Sequence, residues 1–294
     1  MRFILSAFAD EAADALSEQL EALGEAGITH LEIRGVDSKN IGGITVAEAR
    51  CIRAKLDTAG IKLSALGSPY GKIKLADDFA PHLEAFKRSL EVASILGAPY
   101  IRMFSFFLDD IPPEQARDGV SERLNTLLDA AQAGGDALCC HENEKGIYGD
   151  TAERCAELLQ AFAGRLGCVY DPANFLQCGE DAYTAWQTVR QYITYYHIKD
   201  VVRESGGVVP AGDGDGQIVR ILSELQGDEG KVFLTLEPHL QHFSGLETLE
   251  EEGVSVKQPY RFGSNRESFA YAAGALKRVL EAAGYKEENG GWAG

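Results

Sequence analysis

Short apolar runs alternate with longer segments of helical periodicity along the whole chain. Phe3 to Ala7 is the first apolar run, and from Asp10 to Ala26 the residues Ala, Leu and Glu recur at helical spacing until Gly24 and Gly27. His30 to Ile33, Ile61 to Leu66 and Tyr100 to Phe104 read as the next three strands, separated by helices over Val46 to Gly60 and about Pro81 to Leu96. A long helix, Pro113 to Gly134, leads into a fifth strand, Ala137 to His141. Helices at Thr151 to Arg165, Asp181 to Tyr192 and Gln217 to Gln226 then alternate with strands at Cys168 to Tyr170, Ile193 to Tyr196 and Val232 to Leu236. A last helix runs from about Arg266 to Ala283, and Lys286 to Gly294 is expected to fray.

Strict alternation of strands and helices implies a parallel sheet. Eight units in 294 residues, with no Pro- or Ser-rich linker, predict one domain over residues 1–294, an α/β fold closed as a (β/α)8 barrel. The competing architecture, a doubly wound open sheet, calls for a Gly-rich turn after the first strand, where this chain has Phe8-Ala9-Asp10-Glu11. The segment from Gln241 to Glu267 is longer than barrel closure needs and reads as a lid carrying Arg261 toward the substrate or a subunit interface.

Four strands end in a residue that a packed strand does not hold cheaply. Glu142 follows the fifth, Asp171 the sixth, His197 the seventh and Glu237 the eighth. A buried carboxylate is costly unless paired or bound to a metal. In a closed barrel these strands are neighbours and functional side chains collect at their C-terminal ends, so the four predict one divalent-metal site. Three carboxylates and one imidazole favour Mn or Mg, with Co or Zn as alternatives, over a closed structural zinc site. Strand alternation turns Cys140 inward with Glu142, and Cys139 and His141 toward the helices.

Composition narrows the picture further. A formal net charge of -17 argues against a nucleic-acid surface. No apolar run approaches the length of a membrane span, and Asp10 and Glu11 come too early for a signal-peptide core, so a cytoplasmic protein is expected. The six cysteines lack paired zinc spacing and read as reduced thiols.

These residues resemble the xylose isomerase-like TIM-barrel superfamily, in particular its sugar phosphate isomerase/epimerase branch, over nearly the whole chain. The resemblance rests on Glu142 in His-Glu-Asn, Asp171 in Asp-Pro-Ala-Asn, His197 in His-Ile-Lys-Asp and Glu237 in Leu-Glu-Pro-His. It implies one divalent ion held by those four residues, with Glu142 and Glu237 also shuttling the proton. It further implies that Arg203, six positions after the metal histidine, orients the substrate. The chain departs from the epimerase pattern at Asn174, where those enzymes have His, and at Tyr148, where they have Glu. The implied activity is metal-dependent isomerisation or epimerisation of a sugar or sugar derivative, by proton transfer next to a carbonyl through an enediolate-like intermediate. A lyase or dehydratase acting on a keto-sugar, inosose or oxidised glycoside at the same site is the alternative, and a non-catalytic sugar-binding barrel the third.

Lys72, Arg102, Lys145 and Lys199 also fall at or after strand ends, where they would offset the acidic site and hold substrate oxygens. With Tyr148, Asn174 and Arg203 they form the candidate substrate-binding set. Backbone amides of Gly212-Asp213-Gly214-Asp215-Gly216 offer a phosphate site, opposed by the two aspartates within it. The expected partner is a small sugar-like molecule, with neither nucleic acid nor membrane; assembly as a homo-oligomer is left open.

Overall fold

The computed structural model describes residues 1–244 and 258–294. The apolar runs form eight strands in chain order: β1 Arg2–Ala7, β2 His30–Ile33, β3 Lys62–Gly67, β4 Tyr100–Met103, β5 Leu138–Glu142, β6 Leu166–Tyr170, β7 Ile193–Ile198 and β8 Lys231–Leu236. Each pairs in parallel with the next. β8 pairs back onto β1, from Arg2 opposite Lys231 to Ala7 opposite Leu236, which closes the sheet and rules out the open arrangement.

The intervening helices are α1 Leu16–Ala26, α2 Val46–Ala59, α3 Phe79–Leu96, α4 Pro113–Gly134, α5 Ala152–Ala161, α6 Ala182–Val189, α7 Ile218–Ser223 and α8 Asn265–Ala282. Their starts follow from local chemistry. Thr45 and Glu48 form a reciprocal capping box at α2, and Asp78, Thr151, Asp181 and Ser264 each accept a first-turn amide proton. The first helix begins later than its periodicity predicts. Ala9–Glu11 is a separate 3-10 turn, because the Asp10 and Glu11 carboxylates face Arg34 at the barrel mouth rather than solvent.

Alternation along the strands divides the core into two regions. Cys139 packs in the large cluster between sheet and helices, whereas Cys140 joins Ala65, Val169 and Tyr195 inside the barrel. His141 accordingly faces outward and meets the Ser105 hydroxyl at 2.9 Å. Tyr195 stacks on Tyr100 with ring centroids 5.6 Å apart, an aromatic floor beneath the polar residues of the strand ends.

The C-terminal residues do not fray. Lys286–Glu288 (β9) and Gly291–Ala293 (β10) form a hairpin, and β10 pairs antiparallel with the start of β1. Asn289 and Gly290 both have positive φ, 48° and 73°, the geometry that an Asn-Gly hairpin turn requires. Trp292 is buried against the base of the barrel, and the Arg2 guanidinium donates to the carbonyls of Glu288 and Asn289. Trp292→Ala is therefore expected to cost about 3–5 kcal/mol. Denaturant unfolding checks this; an unchanged midpoint would mean that the tail contributes nothing.

Candidate metal centre at the barrel mouth

Four neighbouring strands deliver four buried side chains to one point. Glu142 is the last residue of β5, Asp171 follows β6, His197 lies within β7 and Glu237 follows β8. One ligand atom from each lies within 4.8 Å of those from the others, and all four residues are buried. His197 Nδ1 stands 2.7 Å from Glu142 Oε1 and 3.2 Å from Glu237 Oε2.

The remaining oxygens show how each carboxylate is held. Asp171 caps the short helix Pro172–Gln177, its Oδ1 accepting the Ala173 and Asn174 amide protons at 2.8 and 3.0 Å. An Asp-Pro pair is the sequence signature of such a start. The Asn143 side chain both donates to and accepts from the Asp171 backbone, so β5 and β6 are tied together at the site. Arg102 Nη1 donates to Glu142 Oε2 at 2.7 Å, and Arg34 Nη1 to Glu237 Oε1 at 2.8 Å.

Among the described residues two of the cluster's oxygens have no hydrogen-bond donor, Asp171 Oδ2 and Glu237 Oε2. The Lys199 ammonium lies 3.0 Å from the first and 3.7 Å from the second, close enough for charge attraction but not aligned for a hydrogen bond with either. Orphaned, buried carboxylate oxygens beside an imidazole nitrogen are what a hard divalent cation binds. The residues fit such an ion.

Electrostatics agrees. Burial opposes charge on His197, yet Glu142 and Glu32 overcome it and hold the imidazole protonated well above its usual range. Burial alone would raise the Glu142 carboxyl, but His197 and Arg102 outweigh it and bring the group down to about 2. Glu237, also resisted by burial, is held well below the ordinary range by Lys199 and His197. Burial pushes Asp171 up to about 6 against the pull of Lys199. The cluster thus demands positive charge, and His197 carries a proton to supply it.

Glu32, Arg34 and Phe8 shape this centre and were not anticipated from sequence. Glu32, fully buried on β2, accepts from the Tyr195 hydroxyl at 3.0 Å and lies 3.2 Å from His197 Nε2. Arg34 grips both oxygens of Asp10 at 2.9 Å and reaches Glu11 at 3.3 Å as well as Glu237. Phe8 lies against both arginines, 4.3 Å from the Arg34 guanidinium and 5.6 Å from that of Arg102. His239, at φ 46°, places Nε2 at 3.4 Å from Glu11 and 3.5 Å from Glu237, at the edge of hydrogen-bond reach. Burial pushes Glu11 up to about 8 and pulls His239 down to about 4. The available signal was a Glu and an Arg two residues apart around Ile33 in an otherwise apolar strand, hence on one face.

The candidate substrate contacts divide. Arg102 and Lys199 sit on the ligand carboxylates, and buried Asn174 is joined to the centre by donating to the Asn143 carbonyl at 2.8 Å. Lys72 lies at the rim, 4.5 Å from the Phe104 ring centroid and 2.7 Å from Glu144. Lys145 is exposed on the loop after β5. Tyr148 turns away from the mouth, its hydroxyl donating to Glu157 at 2.9 Å and lying 3.4 Å from Arg117 Nε. Its ring packs in the sheet–helix core, because the loop re-enters the helix layer there. Arg203 does not reach the centre either; it is exposed and donates to the carbonyls of Gly179 and Glu180, pinning one loop to another.

The Gly-rich loop after β7 has an internal anion. Asp200, buried, accepts amide protons from Gly212, Gly214 and Gly216 at 2.9, 3.1 and 2.9 Å, and from Val201 at 3.0 Å. A side chain at Gly214 would lie 2.3 Å from its carboxylate, which accounts for glycine there. Of the expected lid from Gln241 to Glu267, residues 245–257 lie outside the described residues.

Comparison with known proteins places this geometry. A profile of the xylose isomerase-like TIM barrel matches residues 20–256. Among solved structures, a D-tagatose 3-epimerase-like protein superposes with a TM-score of 0.71 at 14% identity, covering 97% of this chain and 98% of that one. The probable 3-DHS dehydratase AsbF of Bacillus anthracis gives 0.69 at 16% identity, covering 94% and 99%. The IOLI protein, solved with a bound zinc atom, gives 0.69 at 17% identity, covering 96% and 98%. No curated protein matches the chain in sequence. With a closed eight-stranded barrel and a buried Glu, Asp, His and Glu cluster at its mouth, the chain belongs to the xylose isomerase-like TIM barrel family.

Proposed function

We propose that this protein is a divalent-metal-dependent isomerase or epimerase of an unphosphorylated sugar or sugar derivative. The observation that carries the reading is the convergence of Glu142, Asp171, His197 and Glu237 around one point, with Asp171 Oδ2 and Glu237 Oε2 free of hydrogen-bond donors. Such an ion, when bound, polarises a carbonyl and stabilises negative charge developing beside it. Relatives of the same fold include a D-tagatose 3-epimerase-like protein and a structure with bound zinc, which supports sugar chemistry and a metal at this mouth.

The chain's own residues then divide the work. Glu142 and Glu237 flank His197 Nδ1 from two strands, so each offers a carboxylate for a proton next to the carbonyl, one for removal and one for return. Arg102 and Arg34 fix the outer oxygen of each carboxylate and keep both ionised within a buried site. Lys199, held by Asp171, and Lys72 over Phe104 supply donors for substrate hydroxyls. The absence of phosphate from the substrate is argued from Asp200: the amides of the loop after β7, where barrels commonly gather phosphate, are engaged by its carboxylate.

The direct test is to incubate the manganese-loaded protein in deuterated water with a panel of ketoses, inososes and oxidised glycosides. Deuterium is expected at the carbon next to the carbonyl of one compound, with an isomer or epimer as product. Net loss of water from the substrate would move the reading to a dehydratase, and no exchange in any compound would reduce the site to binding.

Two predictions follow from the arrangement of charge. Because His197 is protonated without a cation, ion uptake at pH 7 should expel about one proton, and affinity should weaken as pH falls. Manganese titration calorimetry in buffers of different ionisation enthalpy reads the proton directly; a heat independent of buffer would contradict it. Secondly, Glu142→Gln and Glu237→Gln keep a coordinating oxygen but lose basicity. At least one of them should stay about 10²–10⁴-fold slow at saturating manganese. Recovery of both rates by added metal would make the two glutamates ligands alone.

A further inference from the structure

One buried carboxylate outside the four candidate ligands, that of Glu32, meets the imidazole of His197. Glu32 is 0% exposed, on a strand across the barrel from β5. Its Oε2 is 3.2 Å from His197 Nε2, and its Oε1 receives the Tyr195 hydroxyl proton at 3.0 Å. A carboxylate this deep is expensive to desolvate, and an aliphatic side chain would fill the same volume. Both of its oxygens nevertheless meet a donor, so its charge is built in rather than stranded.

Building on the metal reading above, we infer that Glu32 is the positioning residue for His197, holding the ring with its proton on Nε2 so that Nδ1 faces a divalent ion. The two ring nitrogens look in opposite directions. Nδ1 faces Glu142 Oε1 and Glu237 Oε2 at 2.7 and 3.2 Å, where the ligand atoms converge, while Nε2 faces Glu32 alone among the carboxylates of the described residues. Once a cation replaces one proton, the imidazole keeps a single N–H. An ionised carboxylate can only accept, so the remaining proton stays on Nε2 and the lone pair on Nδ1 points to the ion.

The supports for this orientation are themselves fixed. Tyr195, which holds the far oxygen of Glu32, is stacked on Tyr100 at an interplanar angle of 17°. The Phe8 ring meets His197 edge-on at 5.2 Å, which restrains rotation of the imidazole. Tyr195, Glu32 and His197 form a column from the barrel floor to the centre, and its members come only from β2 and β7.

The test compares wild type with E32Q, using zinc as the probe. The amide can accept from His197 and donate to the Tyr195 hydroxyl, so E32Q is expected to fold with an unchanged far-ultraviolet spectrum. Competition against a chromophoric chelator should show zinc bound about 10–100-fold more weakly. In zinc-loaded wild type the His197 Nε2 proton should resonate far downfield by NMR, and should move upfield in E32Q. A folded E32Q with wild-type zinc affinity and an unchanged resonance overturns the inference. If E32Q does not fold, E32D, which keeps the charge but shortens the reach, takes its place. It should bind zinc about 10-fold more weakly, and wild-type affinity there overturns the inference too. A folded wild type that holds no zinc overturns the metal reading itself, an outcome distinct from equal binding by the two proteins.

Discussion

The barrel mouth must balance six buried carboxylates. Asp10, Glu11, Glu32, Glu142, Asp171 and Glu237 are all less than a tenth exposed, gathered there because parallel strands bring their C-terminal ends to one rim. Against them stand Arg34, Arg102 and Lys199, three cations buried to a similar degree. Leaving one such charge unpaired would cost about 3–5 kcal/mol, so the pairing is tightly specified. Two further devices bring the excess down to one negative charge without a metal: burial pushes the Glu11 carboxyl up to about 8, and the carboxylates keep a proton on His197. A divalent ion is the natural replacement for that second proton.

The same balance explains why the carboxylates surround a point instead of collapsing onto their partners. Each arginine approaches from outside the cluster, Arg102 at Glu142 Oε2 and Arg34 at Glu237 Oε1. The helix cap likewise takes the outer oxygen of Asp171. The inner oxygens are thereby turned toward one another: Glu142 Oε1 meets His197 Nδ1, and Asp171 Oδ2 and Glu237 Oε2 have no hydrogen-bond donor among the described residues. Like-charged groups held in that way are unfavourable in isolation and favourable around a cation, which is how a rigid fold prepares a metal site. Phe8 braces this arrangement by lying against both guanidinium groups and the edge of His197.

What could be read from sequence follows from how each feature is encoded. The barrel was legible because two periodicities alternate eight times, and the four clustered residues because each interrupts an apolar run at the same structural place. Glu32 and Arg34 were not, since a polar residue every second position also describes a strand with one face in solvent; only barrel closure puts that face inside. Asp10 and Glu11 resemble an ordinary acidic helix start, and their true role depends on Arg34, which is distant in sequence. Tyr148 and Arg203 point away from the centre for a related reason. Both lie in loops, where spacing from a ligand does not fix direction, and contacts with Glu157 and with the Gly179 and Glu180 carbonyls decide where they point.

The loop after β7 shows how a scaffold can lose one ligand preference through a single internal group. Its glycines place three amides around a concavity of the sort that binds anions. Asp200 occupies it from within, one residue beyond Lys199 and three beyond His197 on the same chain segment. A phosphate would have to displace a carboxylate held by four backbone hydrogen bonds and leave it buried without them. That exchange is unfavourable for a free ion, so the loop serves to brace the segment carrying His197 and Lys199.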